Sequence, residues 1–401
     1  MQSAIVLDGD LKSALAIVRS LGERGVPLAV GGERETGMAL HSRYTDKSFT
    51  YPSPYTDREG FIAEIERQAR SLNDKPVIFT CSDVTFLVLY AARERLASVL
   101  TLIFPDPRAI EIAFDKAATY SLARAIGIPT ITTHLPVTPL EAERVARSLR
   151  YPAVVKPRKS VSGVGGTGYF GTARFVHSKG ELLEVFETLR TQNGESPIVQ
   201  ERMSGEEYGV ETIALHGSPT TFVVHHRMRS LSPTGGASVL KETCERGGLY
   251  DMLVTYAERM IHELRWEGPI MVEFKVDSDT KTPYLMEVNG RFWGSLPLSV
   301  ASGVPFPWYA YEQATTGVIT KPYTEAENAV VTRHFWGDVQ HLIRVFFSRD
   351  LMRPHLYPKR LRALSEFFHT PKGTRGDVWL LKDPKPALME PLDIWRRRKG
   401  K

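Results

Sequence analysis

The sequence has few cysteines, no long hydrophobic run and little net charge, and each shortage excludes a class of protein. Cys81 and Cys244 are the only cysteines among 401 residues, which excludes a disulfide-rich scaffold and favours a reducing compartment. No apolar stretch approaches the roughly 18 residues of a membrane span. The N-terminus also lacks the basic-then-apolar pattern of a signal peptide. We therefore expect a protein without a membrane span, in the cytoplasm.

The charge of the chain is nearly balanced, with a formal net charge of +5. This small excess suits an enzyme that handles polyanionic nucleotides, but it is too dispersed to indicate nucleic-acid binding. The one basic run follows Trp395 and ends at Lys401. We interpret it as a solvated terminus rather than a contact with membrane or nucleic acid.

Residues 1–110 show the alternation of strands and helices that is typical of an α/β domain. A strand at Ala4–Leu7 leads through a turn at Asp8–Asp10, with Asp10 as the expected cap, into a helix with one apolar face. A second strand at Val26–Val30 completes a βαβ unit, which predicts a parallel sheet. Further predicted elements are a helix over Phe61–Leu72, a strand at Pro76–Thr80, a helix from Val84 and a strand at Thr101–Phe104.

The pattern changes after the linker-like Phe104-Pro-Asp-Pro. Asp115 is the expected cap of a helix from Lys116 to Ile126. From Tyr151 onward, alternating apolar and polar positions predict strands with segregated helices, which indicates an α+β part with antiparallel sheets. From about Gly317 the sequence offers no motif.

A predicted β-hairpin carries the strongest local signal for a metal. Its strands, Ile270–Asp277 and Pro283–Asn289, flank a polar turn that we centre on Thr280. This register sets Val272 opposite Val288 and Phe274 opposite Met286. It also opposes Glu273 to Glu287 on the other face, with Asn289 beside them. Opposed carboxylates are unfavourable, and two carboxylates with an amide oxygen suit Mg²⁺. The alternative is a solvated carboxylate pair balanced by Lys275 and Arg291.

Three further segments suggest phosphate and nucleotide contacts. Lys156 ends a short apolar strand, and the glycine-rich loop Ser160–Gly168 follows it. Such a loop can present backbone N–H groups to phosphate, although an ordinary hairpin loop is the alternative. Lys116 begins a helix, where an anion is favoured. The segment Val199–Glu207 runs from a strand into a turn with acidic residues on both sides. By contrast, His225-His226 and Cys244 match none of the usual zinc spacings.

Taken in order, these segments resemble the ATP-grasp superfamily. The similarity is to the branch that includes the large chain of carbamoyl-phosphate synthetase and carboxylate–amine ligases, and it covers about residues 1–315. It is carried by the motifs Asp115-Lys-Ala-Ala-Thr-Tyr, Val154-Val-Lys-Pro with the glycine loop, Gln200-Glu-Arg-Met-Ser-Gly-Glu-Glu, Met271-Val-Glu-Phe and Glu287-Val-Asn-Gly-Arg.

The resemblance implies a fold, a domain organisation and a nucleotide site. The fold would be ATP-grasp. Its domains would be an N-terminal parallel α/β domain at 1–110, a grasp domain at 111–315 with a lid at about 150–205, and an extension at 316–401 that packs on it. Lys116 and Lys156 would bind the phosphates of ATP, and the glycine loop would close over them with Ser160, Gly163, Gly165 and Gly166. Glu201 and the Met203 backbone would contact the adenine. Glu207 would contact the ribose. Glu206 competes with Glu207 for the ribose.

The resemblance also implies the metal and catalytic residues. Glu273, Glu287 and Asn289 would hold Mg²⁺, with Mn²⁺ as an alternative metal. Arg291 would neutralise the transferred phosphoryl group together with Lys156. Arg227 would be a further cation near the γ-phosphate, with Arg229 as its competitor. Members of the family are commonly dimers, so a homodimer is an expectation.

The implied activity is a ligase that joins a small-molecule carboxylate to an amine through an acyl phosphate and releases ADP and phosphate. The alternatives are an ATP-grasp kinase or a ligase that uses ammonia or bicarbonate, and a nucleotide-binding module without catalysis. Loops after the N-terminal strands are the expected substrate contacts, with Asp8, Arg43 and Asp83 as candidates. For Asp83, a helix cap is an equal alternative.

Overall fold

The computed structural model describes residues 1–159, 161–162, 169–170, 173–233, 235–320, 325–347 and 357–398, and it begins with a parallel sheet. The strands of this first sheet follow the order β3-β2-β1-β4. Its elements are β1 (Ala4–Val6), α1 (Lys12–Gly22), β2 (Leu28–Gly32), β3 (Lys47–Thr50), α2 (Arg58–Arg70), β4 (Val77–Phe79), α3 (Asp83–Ala91) and α4 (Arg93–Leu96). The predicted parallel α/β arrangement is therefore confirmed.

Local details of this part differ from the sequence predictions. The strand β3 was not predicted, and the expected strand at Thr101–Phe104 is reduced to a single bridge between Thr101 and Val77. The predicted cap Asp10 does not cap α1, because the residue before the helix is Leu11 and Asp10 pairs with Arg34 instead. The polar side chain is thus used for a tertiary contact rather than a local one.

Two helices and a small antiparallel sheet follow. The predicted linker continues directly into a helix, and Asp115 caps the next one by accepting hydrogen bonds from the backbone N–H groups of Ala117 and Ala118. The sheet has the order β5-β10-β6-β9, with α7 and α8 packed on it. The elements are α5 (Pro107–Ala113), α6 (Lys116–Ala125), β5 (Thr133–His134), α7 (Pro139–Ser148), β6 (Ala153–Lys156), β7 (Val161–Ser162), β8 (Tyr169–Phe170), β9 (Arg174–Val176), α8 (Lys179–Asn193) and β10 (Ile198–Glu201).

A large third sheet, antiparallel up to β17, dominates the rest of the chain. Its order is β16-β15-β11-β13-β14-β17-β18, with β12 paired to β11. Its elements are β11 (Gly205–Leu215), β12 (Ser218–Pro219), β13 (Val223–Ser232), β14 (Gly235–Thr243), α9 (Gly248–Leu264), β15 (Gly268–Asp277), β16 (Pro283–Asn289), α10 (Leu296–Ala301), α11 (Phe306–Thr316), β17 (Val331–Arg333), α12 (Phe335–Phe347), α13 (Arg360–Phe368), β18 (Arg375–Gly376) and α14 (Lys385–Arg398).

The third sheet has one apolar face and one polar face. Val272, Phe274 and Val276 of β15 are buried in a core that α5, α6 and α9 cover. The alternate residues Glu273 and Lys275 are only partly buried on the opposite face. This alternation follows from the two-residue period of a strand. The polar face also carries the buried Ile213, Val223 and Met271, which pack in one core with residues of the first sheet.

The residues after Gly317 pack on both the first and the third sheet. Asp377 pairs with Lys12 of α1 and with Lys241 of β14, each at 2.7 Å. Asp383 pairs with Arg19 at 2.9 Å. Within the part of the chain that the structure describes, no helix is long and apolar enough to span a membrane.

Candidate active site

A cavity of about 910 Å³ lies where the ends of β1 and β4 meet the polar face of the third sheet. The carboxyl ends of parallel strands are the usual place for ligands in such sheets. Helix α14 closes another side with Glu390, Asp393 and Ile394. The lining includes the predicted residues Asp83, Arg227, Glu273, Glu287, Asn289 and Arg291. The chain thus brings distant predicted residues together around one space.

The carboxylates of the hairpin oppose each other as predicted, and they line this cavity. Glu273 and Glu287 are register partners on β15 and β16, as are Val272 and Val288. Burial raises the pKa of Glu273 to about 7, with Glu287 adding to the rise and Arg227 opposing it. An acid whose ionisation is opposed in this way favours a bound cation or a retained proton.

The rest of the predicted register is wrong by one residue. Beyond Glu273 a bulge pairs Phe274 with Leu285 rather than with Met286. Leu285 is completely buried, whereas Met286 is partly buried. Because a one-residue shift exchanges the faces of a strand, the bulge buries Leu285 while it keeps Glu287 on the cavity side.

Asn289 and Arg291 connect the acidic pair to the first sheet. The Nδ2 of Asn289 lies 3.4 Å from Glu273 Oε1 and 3.3 Å from Glu287 Oε1, and its Oδ1 accepts a hydrogen bond of 3.0 Å from Arg291. Arg291 also donates from Nε to Asp83 at 2.8 Å. Although burial opposes the charge, Asp83 and Glu287 hold the pKa of Arg291 above its usual value.

Asp83 is not the helix cap that we considered as an alternative. Ser82 caps α3 by accepting a hydrogen bond from the Thr85 backbone N–H, so the carboxylate of Asp83 is available to Arg291. Asp8 supports this loop from below. Its Oδ2 accepts hydrogen bonds from the backbone N–H of Cys81 at 2.7 Å and from the Thr85 hydroxyl at 2.8 Å. Asp8 therefore positions the loop that carries Asp83.

Two of the three substrate candidates lie outside the cavity lining. Burial raises the pKa of Asp8, whose carboxylate is used by the β4–α3 loop. Arg43 is exposed, lies 5.6 Å from the ring of Tyr44 and donates to the carbonyl of Lys382. The sequence placed Arg43 near a strand end, but its side chain follows the surface toward the C-terminal segment. Asp83 alone remains beside the cavity.

Glu207, Arg227 and Lys275 form a row across three neighbouring strands. Glu207 is the register partner of both Arg227 and Lys275, and its carboxylate lies 2.5 Å from Arg227 and 3.4 Å from Lys275. Burial acts to raise the pKa of Glu207, but the charges of Arg227 and Lys275 outweigh it, so the pKa is lowered. Arg227 also reaches Glu273 at 3.3 Å. The row therefore joins the predicted ribose residue to the acidic pair.

The competing residues point elsewhere. Glu206 is exposed and lies near His226, on the other side of β11 from Glu207. Arg229 binds both carboxylate oxygens of Asp338, each at 2.7 Å. Arg227 lines the cavity and Arg229 does not, so the geometry favours Arg227 for a contact there. Glu207 is paired with Arg227, whereas Glu206 is not, so the geometry favours Glu207 as the residue joined to this site.

Lys156 and Lys116 lie beside this row. Burial lowers the pKa of Lys156 to about 8; Lys116 and Lys275 act in the same direction, while Glu287 opposes them. Lys116 starts α6, as predicted, and its backbone N–H donates to the carbonyl of Arg158. A concentration of lysines around a partly buried amine fits an anion such as a phosphate.

The remaining nucleotide candidates are only partly described. Glu201 ends β10 and Met203 lies in the connection 202–204, which joins the second sheet to the third. Ser160, Gly163, Gly165 and Gly166 lie outside the described residues, so their predicted contact with phosphates is untested.

Sequence reasoning missed several polar residues of the cavity. Lys12 lines it while bound to Asp377, and His225 lines it while its Nδ1 lies 2.8 Å from Glu211 Oε1. Glu390 and His334 contact each other at the opposite wall. The partners are separated by long stretches of chain, so no local pattern could identify them.

The acidic pair fits a hard divalent cation. Among the described residues, no group of three or more His, Cys, Asp or Glu side chains could hold a metal. A cation would therefore use the two carboxylates and the amide oxygen of Asn289. A half-turn of the amide would place this oxygen where the nitrogen now lies, facing the two carboxylates. Oxygen donors that leave positions for water and phosphate suit Mg²⁺.

Comparison with known proteins finds similar sequences. A family model described as ATP-grasp in the biosynthetic pathway with Ter operon matches residues 194–334, which include Glu207, Arg227, Glu273, Glu287 and Arg291. The large chain of carbamoyl phosphate synthase from Agathobacter rectalis is 25% identical over 203 residues, 49% of this chain. The matched part is only 18% of that protein's length.

Solved structures share the fold at low identity. The biotin carboxylase domain of 2-oxoglutarate carboxylase from Hydrogenobacter thermophilus, in complex with MgADP, ADP and bicarbonate, has a TM-score of 0.63 and 15% identity, covering 82% of this chain and 74% of that one. An L-amino acid ligase from Bacillus licheniformis has a TM-score of 0.60 and 17% identity, covering 79% and 74%. The chain therefore has the fold of these ATP-grasp structures, and residues 194–334 match an ATP-grasp family model.

Proposed function

We propose that this protein is an ATP- and Mg²⁺-dependent ligase that joins a small-molecule carboxylate to an amine and releases ADP and phosphate. The observation that carries the proposal is the position of the acidic pair and the two arginines in one wall of a cavity of about 910 Å³. A cavity of this size can hold an organic substrate directly beside the predicted phosphate site. The similarity to an L-amino acid ligase supports an amino acid as one substrate.

The proposed roles follow from the charges around the cavity. Glu273, Glu287 and Asn289 would hold Mg²⁺, which when bound with ATP would offset the charge of the phosphates. Lys156 would bind a phosphate oxygen, and Glu207 would lie beside the ribose. Because a carboxylate is a poor electrophile, it would first be converted to an acyl phosphate.

The two arginines would act on the charge that develops during this transfer. Arg291 is held by Asp83, and Arg227 is held by Glu207 and Glu273, so both guanidinium groups are fixed before substrate binds. Groups that are already oriented need no reorganisation during the reaction, and positioning with charge neutralisation is the main need of phosphoryl transfer. No protein nucleophile is required.

The proposal is tested by measuring nucleotide consumption with and without Mg²⁺ against amino acids offered singly and in pairs. The assay should separate ADP and phosphate from AMP and pyrophosphate, with mass spectrometry of the products. Mg²⁺-dependent ADP release with a condensed product is the expected result. AMP and pyrophosphate would overturn the acyl-phosphate route, and ADP release with bicarbonate or ammonia alone would favour the other class of ATP-grasp enzyme.

A matched pair of variants tests whether the cavity is the site. Arg227→Lys should lower turnover at least tenfold, because lysine cannot bridge Glu207 and Glu273 as the guanidinium does. Arg229→Lys changes the same residue type two positions along the strand, at a side chain bound to Asp338 outside the cavity lining. Equal loss of activity in both variants would contradict the assignment.

A further inference from the structure

His225 is a cavity residue that the proposed phosphoryl transfer does not use. His225 is 1% exposed, and it lines the cavity together with Arg227 and Ser295. It projects from β13 on the same face as Arg227, and its register partner on β11 is Gly209. Gly209 is in turn the register partner of Glu273. His225 and the acidic pair therefore lie on either side of one glycine.

Gly209 makes room for the imidazole. A Cβ at this position would lie 2.3 Å from Cε1 and 3.1 Å from Nε2 of His225. Any larger residue would push the ring away, since such contacts are far closer than van der Waals distance. The absence of a side chain at residue 209 thus leaves the space that the His225 ring occupies.

Glu211 fixes the orientation and the tautomer of the ring. It is completely buried and lies 2.8 Å from His225 Nδ1. The hydroxyl groups of Ser295 and Ser299 also donate to it. A carboxylate that accepts from Nδ1–H leaves Nε2 as the nitrogen with a free lone pair. Among the described residues, the polar contacts of the His225 ring, to Glu211 and Ser295, are made at Nδ1.

The surroundings keep the ring neutral. Burial lowers the pKa of His225; Arg227 and Lys241 act in the same direction, while Glu211 opposes them. A neutral imidazole with a free nitrogen facing a cavity is equipped to accept a proton. A Ser-His-Glu nucleophile arrangement is excluded, because Ser295 lies 3.4 Å from Nδ1, on the side of the ring that Glu211 occupies.

We infer that His225 is the general base that deprotonates the amine substrate, and that Glu211 is its positioning residue. This inference rests on the proposed ligase function. An ammonium group has no lone pair, so it must lose one proton before it can attack. That proton passes to Nε2. The amine nitrogen then bonds to the acyl carbon, the bond from that carbon to the phosphate oxygen breaks, and phosphate leaves with the electron pair. The second proton lost by the nitrogen leaves with phosphate, and His225 returns its own proton to water.

His225→Asn tests the assignment with little change in packing, because the amide N–H can replace Nδ1–H toward Glu211. The variant should form amide from an amino-acid amine about 10²-fold or more slowly than the unmodified protein, within the range of general base catalysis. Hydroxylamine is already mostly unprotonated at neutral pH and needs no base. ATP-dependent hydroxamate formation from the same carboxylate should therefore be retained within a few-fold.

A pH series adds a readout that a structural role would not give. The residual rate of His225→Asn should rise by about tenfold per pH unit below the pKa of the amine, because only the free amine reacts. His226→Asn is the matched control. His226 points away from the cavity, binds Glu242 at 3.0 Å and stacks on Tyr208, so its variant should keep both reactions.

The outcomes separate the inference from the function on which it rests. Amide formation by His225→Asn at the rate of the unmodified protein would overturn the role of His225 and leave the ligase standing. Equal loss of amide and hydroxamate in a folded variant would place His225 in the first half-reaction and also overturn it. If the unmodified protein makes neither product, the ligase proposal fails. In that case, ¹⁵N NMR of the free protein still tests the ring. The expected form at pH 7 is neutral with the proton on Nδ1, and an imidazolium or Nε2–H form would overturn the assignment.

Discussion

Glu287→Gln is expected to stabilise the metal-free protein at alkaline pH while it abolishes Mg²⁺-dependent turnover. Burial raises the pKa of Glu273 from 4.5 to about 7, and the opposed Glu287 contributes to that rise. The ionised form of Glu273 is therefore disfavoured in the folded protein. Removing the charge of Glu287 should recover the like-charge part of this cost.

The sign of the pH dependence follows from the two states. The folded protein keeps the Glu273 proton to a higher pH than the unfolded chain, so the free energy of unfolding falls as the pH rises from about 4.5 to about 7. The full loss then persists above pH 7. Because burial is the largest cause, glutamine at position 287 should recover only about 1 kcal/mol or less, the range for like charges opposed on a sheet.

Urea unfolding in EDTA at pH 6 and pH 8 measures this difference. Glu287→Gln should be more stable than the unmodified protein at pH 8, with a smaller gap at pH 6. Glu258→Gln, at an exposed position on α9, controls for the loss of a negative charge. Addition of Mg²⁺ with ATP should stabilise the unmodified protein and leave Glu287→Gln nearly unchanged. A variant that is less stable than the unmodified protein in EDTA at pH 8, or that gains equally from MgATP, would refute the reasoning.

Three other perturbations have defined outcomes. Lys156→Ala should weaken ATP binding about tenfold or more by calorimetry. In the unmodified protein, the affinity for ATP should decline between pH 7 and pH 9, because the pKa of Lys156 is about 8 and its charge is lost over that range. The variant should lack this decline, and an unchanged pH profile would exclude a role for Lys156. Asp377→Asn should lower the free energy of unfolding by about 3–5 kcal/mol, because it leaves Lys241 buried without its partner; a loss below 1 kcal/mol would contradict this. Glu207→Gln should raise the KM for ATP more than Glu206→Gln does, and the reverse order would restore Glu206 as the ribose residue.

Local rules predicted those features of the fold that are decided by neighbouring residues. Asp115 was identifiable as a cap, and the opposition of Glu273 to Glu287 was identifiable from the alternation of the hairpin. The bulge was not identifiable, because Leu285 and Met286 are adjacent and both apolar. Which of them enters the core depends on the packing of the opposite strand, and that information is tertiary.

The candidate site was predictable to a similar extent. Glu273, Glu287, Asn289 and Arg291, which belong to family motifs, line the cavity. Lys156 and Glu207 also belong to such motifs but are not part of the lining, and Arg43, chosen only because it follows a strand, lies on the surface. His225 was considered at first for a zinc pattern and then set aside. Its place in the cavity depends on Gly209, a residue on another strand whose importance lies in having no side chain. Patterns along the chain do not report such pairings.

The C-terminal segment explains how the cavity keeps its shape. Asp377 binds Lys12 of α1 and Lys241 of β14, and Asp383 binds Arg19 of α1. A buried ion pair adds little net stability to the fold. Separating its two charges is nevertheless strongly destabilising, because a buried charge is then left without its partner. Asp377 is bonded to both walls of the cavity at once, so a change in the distance between the first and third sheets would separate a buried charge from its partner. We therefore expect this segment to hold the two walls of the cavity at the distance that the ion pairs of Asp377 and Asp383 set.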